Sequence, residues 1–212
     1  MKKIILSIAL VAVAFTSCKE DKKDKTSTSE KVEVAEVQKA INNVDVKNSV
    51  VTWKGTKPTG SHDGTVLLKS GSLTVENGNV KSGEFVIDMT SIENVDMKGS
   101  DGAGNLEGHL SSPDFFDVTT FPTAKFVITS SEIKEGKVQV TGNITIKETT
   151  KSITIPATVS QANGIVTFKS DVFKIDRTDF GITYKSKKLD AALKDKFIND
   201  LMEMSFVVQT KA

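Results

Sequence analysis

The sequence predicts an all-β domain whose antiparallel strands close into a barrel of about eight staves. The first observation is alternation. Apolar residues recur at even spacing through Phe85, Ile87 and Met89, through Ala124, Phe126 and Ile128, and through Val138, Val140, Ile144 and Ile146. The same holds for Ile153, Ile155, Ala157 and Val159, and for Met202, Met204, Phe206 and Val208. Period two marks a strand with one buried face. The second observation is punctuation: Asn77-Gly78, Glu135-Gly136 and Asn163-Gly164 fall between these runs, where a tight hairpin needs them. The third is the scarcity of long helical periods. A closed barrel of this size leaves no free edge, and its interior admits packed side chains or one slender ligand. A two-sheet sandwich would satisfy the same alternation, so periodicity alone does not choose.

The N-terminal part reads as targeting and tether. Lys2-Lys3 is a positive start and Ile4 to Phe15 an apolar core, too short to span a bilayer as a mature helix. Residues 1–17 are therefore expected to be a signal peptide. Phe15-Thr16-Ser17 before Cys18 is like a lipobox, and Cys18 is the only cysteine, so no internal disulfide can form. Cys18 is the expected lipidation site, and acyl chains anchor at roughly 0.8 kcal/mol per buried methylene. The membrane is then a partner through Cys18, and the location an outer-membrane lipoprotein, periplasmic or surface-exposed. Lys19-Glu20-Asp21 is similar to the export tag of some surface lipoproteins. Residues 18–43 are too charged to pack and read as a solvated linker, with a short helix or more linker over Val32 to Ile41. The barrel domain spans 44–212.

Within it, Val50 to Gly55 is the first strand. Thr65–Lys69 and Ser72–Glu76 are expected to pair through a turn at Ser70-Gly71, and Val80 to Met89 follows. Asp96 to Gly104 reads as a glycine-rich loop. Ser112-Pro113-Asp114 then reads as a helix start, with a hydroxyl cap, Pro at the first helical position and an acid in the first turn. Phe115 and Phe116 anchor this short plug by burial, and Phe121-Pro122 ends it in extended geometry. Ile165 to Ile175 is a long strand whose phase slips near Ser170–Val172, the mark of a bulge or corner. Leu189, Ala192 and Leu193 mark a short helix.

The plug carries a resemblance. His109-Leu110-Ser111, the Asp114-Phe115 pair and Phe121-Pro122-Thr123-Ala124-Lys125-Phe126 resemble, in that order, the signature of the YceI-like family of lipocalin-like, polyisoprenoid-binding proteins. Val140 to Ile146, centred on Gly142, is similar to the family's glycine strand. Ile175-Asp176-Arg177-Thr178-Asp179-Phe180-Gly181 is similar to its late arginine motif. The resemblance covers roughly residues 44 to 210 and favours the barrel over the sandwich. The family's arginine-aspartate pair before the histidine is replaced here by Leu106 and Glu107. The resemblance implies a long isoprenoid or related lipid as the bound ligand and partner, with no other cofactor, and leaves a homodimer open.

Charge and chemistry agree with binding. The chain has 28 basic and 27 acidic side chains, a balance that does not predict nucleic-acid binding, which needs a concentrated basic face. His62 and His109 are the only histidines, and no metal-ligand or nucleophile template surrounds them. Neither a catalytic nor a metal site is expected. His109 is expected to hold the plug loop and His62 to sit at the barrel mouth. Arg177, the sole arginine, is expected to pair with Asp176, Asp179 or a plug acid, or else to meet a ligand head group. On strand alternation, the expected lining is Phe85, Ile87, Phe126, Ile128, Val140, Ile144, Phe168 and Phe206. The reading is a non-catalytic envelope lipoprotein that sequesters lipid. Its rivals are a structural or stress-protective protein with a filled core and an enzyme using His109 with an acid.

Overall fold

The computed structural model describes residues 25–33 and 43–211. Its elements in order are β1 (Thr28–Glu30), β2 (Val50–Lys57), β3 (Gly60–Glu76), β4 (Asn79–Asn94), α1 (Asp101–Ser111), β5 (Thr123–Lys134), β6 (Lys137–Ile146), β7 (Thr149–Ala162), β8 (Ile165–Ser170), β9 (Phe173–Asp176) and β10 (Leu201–Gln209). Short 3-10 turns cover Arg177–Phe180 and Ala191–Lys196. Antiparallel neighbours run β7-β6-β5-β4-β3-β2-β10-β8, and the β7–β8 pairing closes the ring. Taken as one stave, β8 and β9 complete the closed eight-stranded antiparallel barrel. Asn77-Gly78, Glu135-Gly136 and Asn163-Gly164 all carry positive φ at both positions, the hairpin geometry that matches strand twist.

Two expectations about elements change. The hairpin at Ser70-Gly71 does not form; β3 runs straight through it and absorbs the break in pattern as register shifts against β4. Gly71 sits inside the strand because a side chain there would press on Phe85 and Val44. The helix forms earlier than expected. Ser100, not Ser112, is the N-cap, accepting from the Ala103 amide, and α1 occupies Asp101–Ser111 despite three glycines. Ser112 is the C-cap: its amide and hydroxyl both donate to the His109 carbonyl. The plug after it is a string of turns that returns the chain to β5 at Thr123.

The kink expected near Ser170–Val172 separates β8 from β9. Below it β8 bonds both β7 and β10; above it, among the described residues, β9 pairs as a strand with β10 alone. The wall therefore parts beside the first half of β7. Part of the segment read as solvated linker lies along this seam. β1 pairs with β7, Thr28 opposite Ile153 and Glu30 opposite Lys151. Thr26 donates its amide to the Lys174 carbonyl at 2.9 Å on the β9 side. Lys25 reaches Asp179 at 2.8 Å and Asp176 at 3.3 Å, and the Thr28 hydroxyl donates to Asp179 at 2.8 Å. The Asn143 amide clasps the Val32 backbone, accepting from its N–H at 3.0 Å and donating to its C=O at 2.6 Å. Of the charges in this segment, Lys25 and Glu30 are described and are paired, Lys25 with Asp176 and Asp179 and Glu30 with Lys151. The leader, Cys18 and most of Val32 to Ile41 lie outside the described residues. Among the described residues, no helix is long and apolar enough to cross a membrane.

Candidate functional site

Strand alternation turns one apolar face of each stave inward, and the two ends of the barrel use that face differently. At the end carrying the Asn77, Glu135 and Asn163 turns, the inward side chains meet. Ile128, Val140 and Phe168 are buried there, and Phe168, fully enclosed, stacks 6.3 Å from Phe85 and meets Phe206 at a tilt, 4.9 Å away. These residues form a floor. Above it lies a cavity of about 610 Å³ that opens toward the β2–β3 turn and α1. A cavity of roughly 150 Å³ accommodates benzene, so this one has room for a chain of roughly twenty carbons.

The walls are Val51 and Trp53 from β2, Val66 and Leu68 from β3, Phe85, Ile87 and Met89 from β4, and Ala124 and Phe126 from β5. Ile144, Ile155, Ile175, Met202, Met204 and Phe206 complete the circle. Of the eight residues read as lining, Phe85, Ile87, Phe126, Ile144 and Phe206 reach the cavity. Ile128, Val140 and Phe168 point inward too but are spent on the floor, a depth that alternation does not encode. Two glycines give the large rings their places. A Cβ on Gly64 would collide with the Trp53 indole, and one on Gly142 with the Phe126 ring. Among the described residues the Trp53 indole N–H is buried without a hydrogen-bond partner.

α1 and the turns after it cover part of the opening. Leu106 and Leu110 from α1, with Phe115 and Phe116, contribute apolar surface. Leu106 stands where the resemblance leads one to expect arginine, and Glu107 instead accepts the Asn94 amide at 2.7 Å, tying α1 to β4. Both histidines line the opening and each meets an aspartate. His62 bonds Asp96 at 2.9 Å, which holds the loop leading into α1. This bond, helped by the Asp63 amide, depresses the Asp96 carboxyl to about 2. His109, at the far end of α1, bonds Asp114 at 3.1 Å and packs edge-on against Phe115 and Tyr184. The cover is thus stapled at both ends. Tyr184, Leu106, Met202 and Met204 were missing from the sequence-based lining. The methionines share a face with Phe206 and were legible there, whereas Tyr184 sits in an irregular loop that has no period.

Arg177 lies at the cavity wall with 1% of its side chain exposed. Its expected partners are not the observed one. Nε–H donates to the Asn199 carbonyl, and the two terminal nitrogens donate to the Ile182 and Ile198 carbonyls and to Asp200 at 3.1 Å. Its guanidinium is committed to the loop that frames the mouth, and its carbon lies 6.0 Å from the Phe115 ring centre. Burial pulls Arg177 below its ordinary range, with Asp200 and Asp176 acting in the opposite sense. Asp176 caps the following turn through Thr178 and, with Asp179, receives Lys25. Among the described residues no group of His, Cys, Asp and Glu is arranged to hold a metal ion.

The model of the YceI-like domain matches residues 43–210. The chain belongs to the YceI-like family. No curated protein sequence matches it. Among solved structures, Burkholderia cenocepacia BcnA is 23% identical with a TM-score of 0.64, over 80% of this chain and 100% of that one. A polyisoprenoid-binding domain from Saccharophagus degradans, implicated in plant cell wall breakdown, is 15% identical with a TM-score of 0.58, over 80% and 97%. The Campylobacter jejuni YceI protein is 17% identical with a TM-score of 0.53, over 85% and 91%. At these identities the likeness is one of fold. In this YceI-like barrel, the apolar cavity and its stapled cover are what the fold positions.

Proposed function

We propose that this barrel binds and sequesters the apolar chain of a polyisoprenoid or a comparable long lipid, without catalysing its conversion. The observation that carries the reading is the cavity of about 610 Å³, walled by aliphatic, aromatic and methionine side chains and closed below by Phe168. Transfer of such a chain from water gains roughly 25 cal/mol per Å² of buried surface, and few polar groups are needed to orient it. The ligand of the Saccharophagus degradans domain supports the same class. An unfilled cavity of this size weighs against the rival of a solid, purely structural core. His109 is engaged by Asp114, Phe115 and Tyr184 in holding the rim, which favours a positioning role over acid-base work.

We propose further that Cys18 is lipidated after removal of residues 1–17 and anchors the protein in the outer membrane. The short apolar core and the Phe15-Thr16-Ser17 step support this.

Trp53, the sole tryptophan, lines the cavity and reports on it directly. Titration with geranylgeraniol should shift its emission saturably, and solvent extraction with native mass spectrometry should recover a lipid from the purified protein. A flat emission across several chain lengths, with no extractable lipid, would overturn the binding reading. Cys18→Ser should abolish acylation and release the protein from membranes; unchanged acyl labelling would overturn the anchor alone.

A further inference from the structure

We infer that the segment docked in the barrel seam turns the cavity mouth toward the membrane and makes the mouth rim a bilayer-contact surface. The inference rests on the anchoring of Cys18 proposed above; it does not depend on which lipid the cavity holds.

The first support is where the chain leaves the barrel. With Thr26 to Val32 held between β7 and β9, the described residue nearest Cys18 is Lys25, bound to Asp176 and Asp179. These acids flank Arg177, which frames the mouth. About seven residues separate Lys25 from Cys18, a reach of at most roughly 25 Å. Without the docked segment, the nearest described residue would be Asn43. Asn43 is held by Leu73 and Lys211 at the floor end. About twenty-five residues would then intervene, with a reach of roughly 85 Å. Docking shortens the tether more than threefold and moves its root from the floor to the mouth.

The second support is the rim itself. Lys57, Lys185, Lys187, Lys188, Lys194 and Lys196 stand at the β2–β3 turn and on the adjoining loop that leads into β10. Several rim carboxylates are engaged within the protein: Asp96 by His62, Asp114 by His109, Asp176 by Lys25 and Lys188, and Asp190 by the Ala192 amide. Asp195 is exposed between two of the lysines. Leu189, 59% exposed, and Val95, 46% exposed, add apolar side chains among these charges. Lysines around exposed apolar residues suit the headgroup region of a bilayer containing anionic lipid. A mouth held there receives an apolar chain without carrying it through water.

The test uses the full-length acylated protein in phosphatidylethanolamine–phosphatidylglycerol vesicles. A bimane fluorophore is attached through Leu189→Cys in one variant and Ile133→Cys in another. Both side chains are 59% exposed, Leu189 on the rim and Ile133 beside the Lys134–Lys137 turn at the floor end. Headgroup spin-labelled lipid should quench the Leu189 label several-fold more than the Ile133 label. Adding Lys25→Glu with Thr28→Pro, which alters no residue of the closed barrel, should level the two. Equal quenching in the docked protein, or stronger quenching at Ile133, overturns the orientation while leaving anchor and cavity standing. Failure of the protein to float with vesicles overturns anchor and orientation together, whatever Trp53 reports on binding.

Discussion

Arg177 is the residue on which the mouth depends. Its guanidinium ties three backbone carbonyls and Asp200 into one frame, so truncation leaves acceptors and a carboxylate without their donor. Arg177→Met fills similar volume without the charge and should cost about 3–5 kcal/mol, the range for breaking a buried ion pair by removing one partner. Urea denaturation measures it; a midpoint shifted by only a few tenths of a molar would mean that the loop carries itself. The sequence singled out this arginine because it is the only one, and it named the wrong partner. Asp176 and Asp179 are close in the chain, but the side chain points across the turn to Asp200, a long-range contact that local spacing does not encode. Asp96 contributes to the pH dependence. Its carboxyl is held at about 2 by His62 and the Asp63 amide, below an unfolded value near 4. A depressed carboxylate favours the folded state above the unfolded value, and that contribution fades as pH falls from about 4 toward 2. A carboxyl NMR titration should find the Asp96 midpoint near 2, and His62→Ala should return it toward 4. A wild-type midpoint already near 4 would show that the loop into α1 is not stapled by this pair.

Elements divide into those that follow from local pattern and those that do not. The strands from β4 to β7 and β10 are written in alternation, and the break between β8 and β9 in its slip of phase. α1 was hidden because Gly102, Gly104 and Gly108 oppose helix by propensity, and Ser112-Pro113-Asp114 offered a better local start. The Ser100 cap, the Glu107–Asn94 bond and burial of Ala103 decide in favour of the earlier helix. β3 was split at Ser70-Gly71 because a Ser-Gly step reads as a turn. In place, the glycine admits Phe85 and Val44 instead. β1 could not be read at all, since three residues carry no period. It exists because the wall of another element parts, and its partners lie more than a hundred positions away. The same contacts remove two of the molecule's exposed strand edges, on β7 and β9, which an open seam would leave available to other chains.

At the scale of the whole molecule, the barrel and its inward face were legible, and the division of that face into floor and cavity was not. Alternation states which side chains point inward but gives no depth, and depth depends on how eight staves with different bends converge. Phe168 and Phe206 illustrate this. They pack against each other, yet only Phe206 borders the open space. That division sets the ligand's length, because the Phe168 floor fixes one end and α1 with Tyr184 the other. Ala124 tests it. It lines the cavity, and its Cα pairs with Ile87, another wall residue. Ala124→Phe adds a ring the size of benzene, which needs roughly 150 Å³, about a quarter of the 610 Å³ present. The open volume accepts the ring, so the fold should survive with a thermal midpoint within a few degrees of the parent. Binding should then depend on length. Geranylgeraniol should weaken at least tenfold by Trp53 emission, while farnesol, shorter by one isoprene unit, should lose little. Equal losses for both would mean that the ring obstructs the entrance rather than the end of the chain, and no loss for either would place the bound chain outside the cavity.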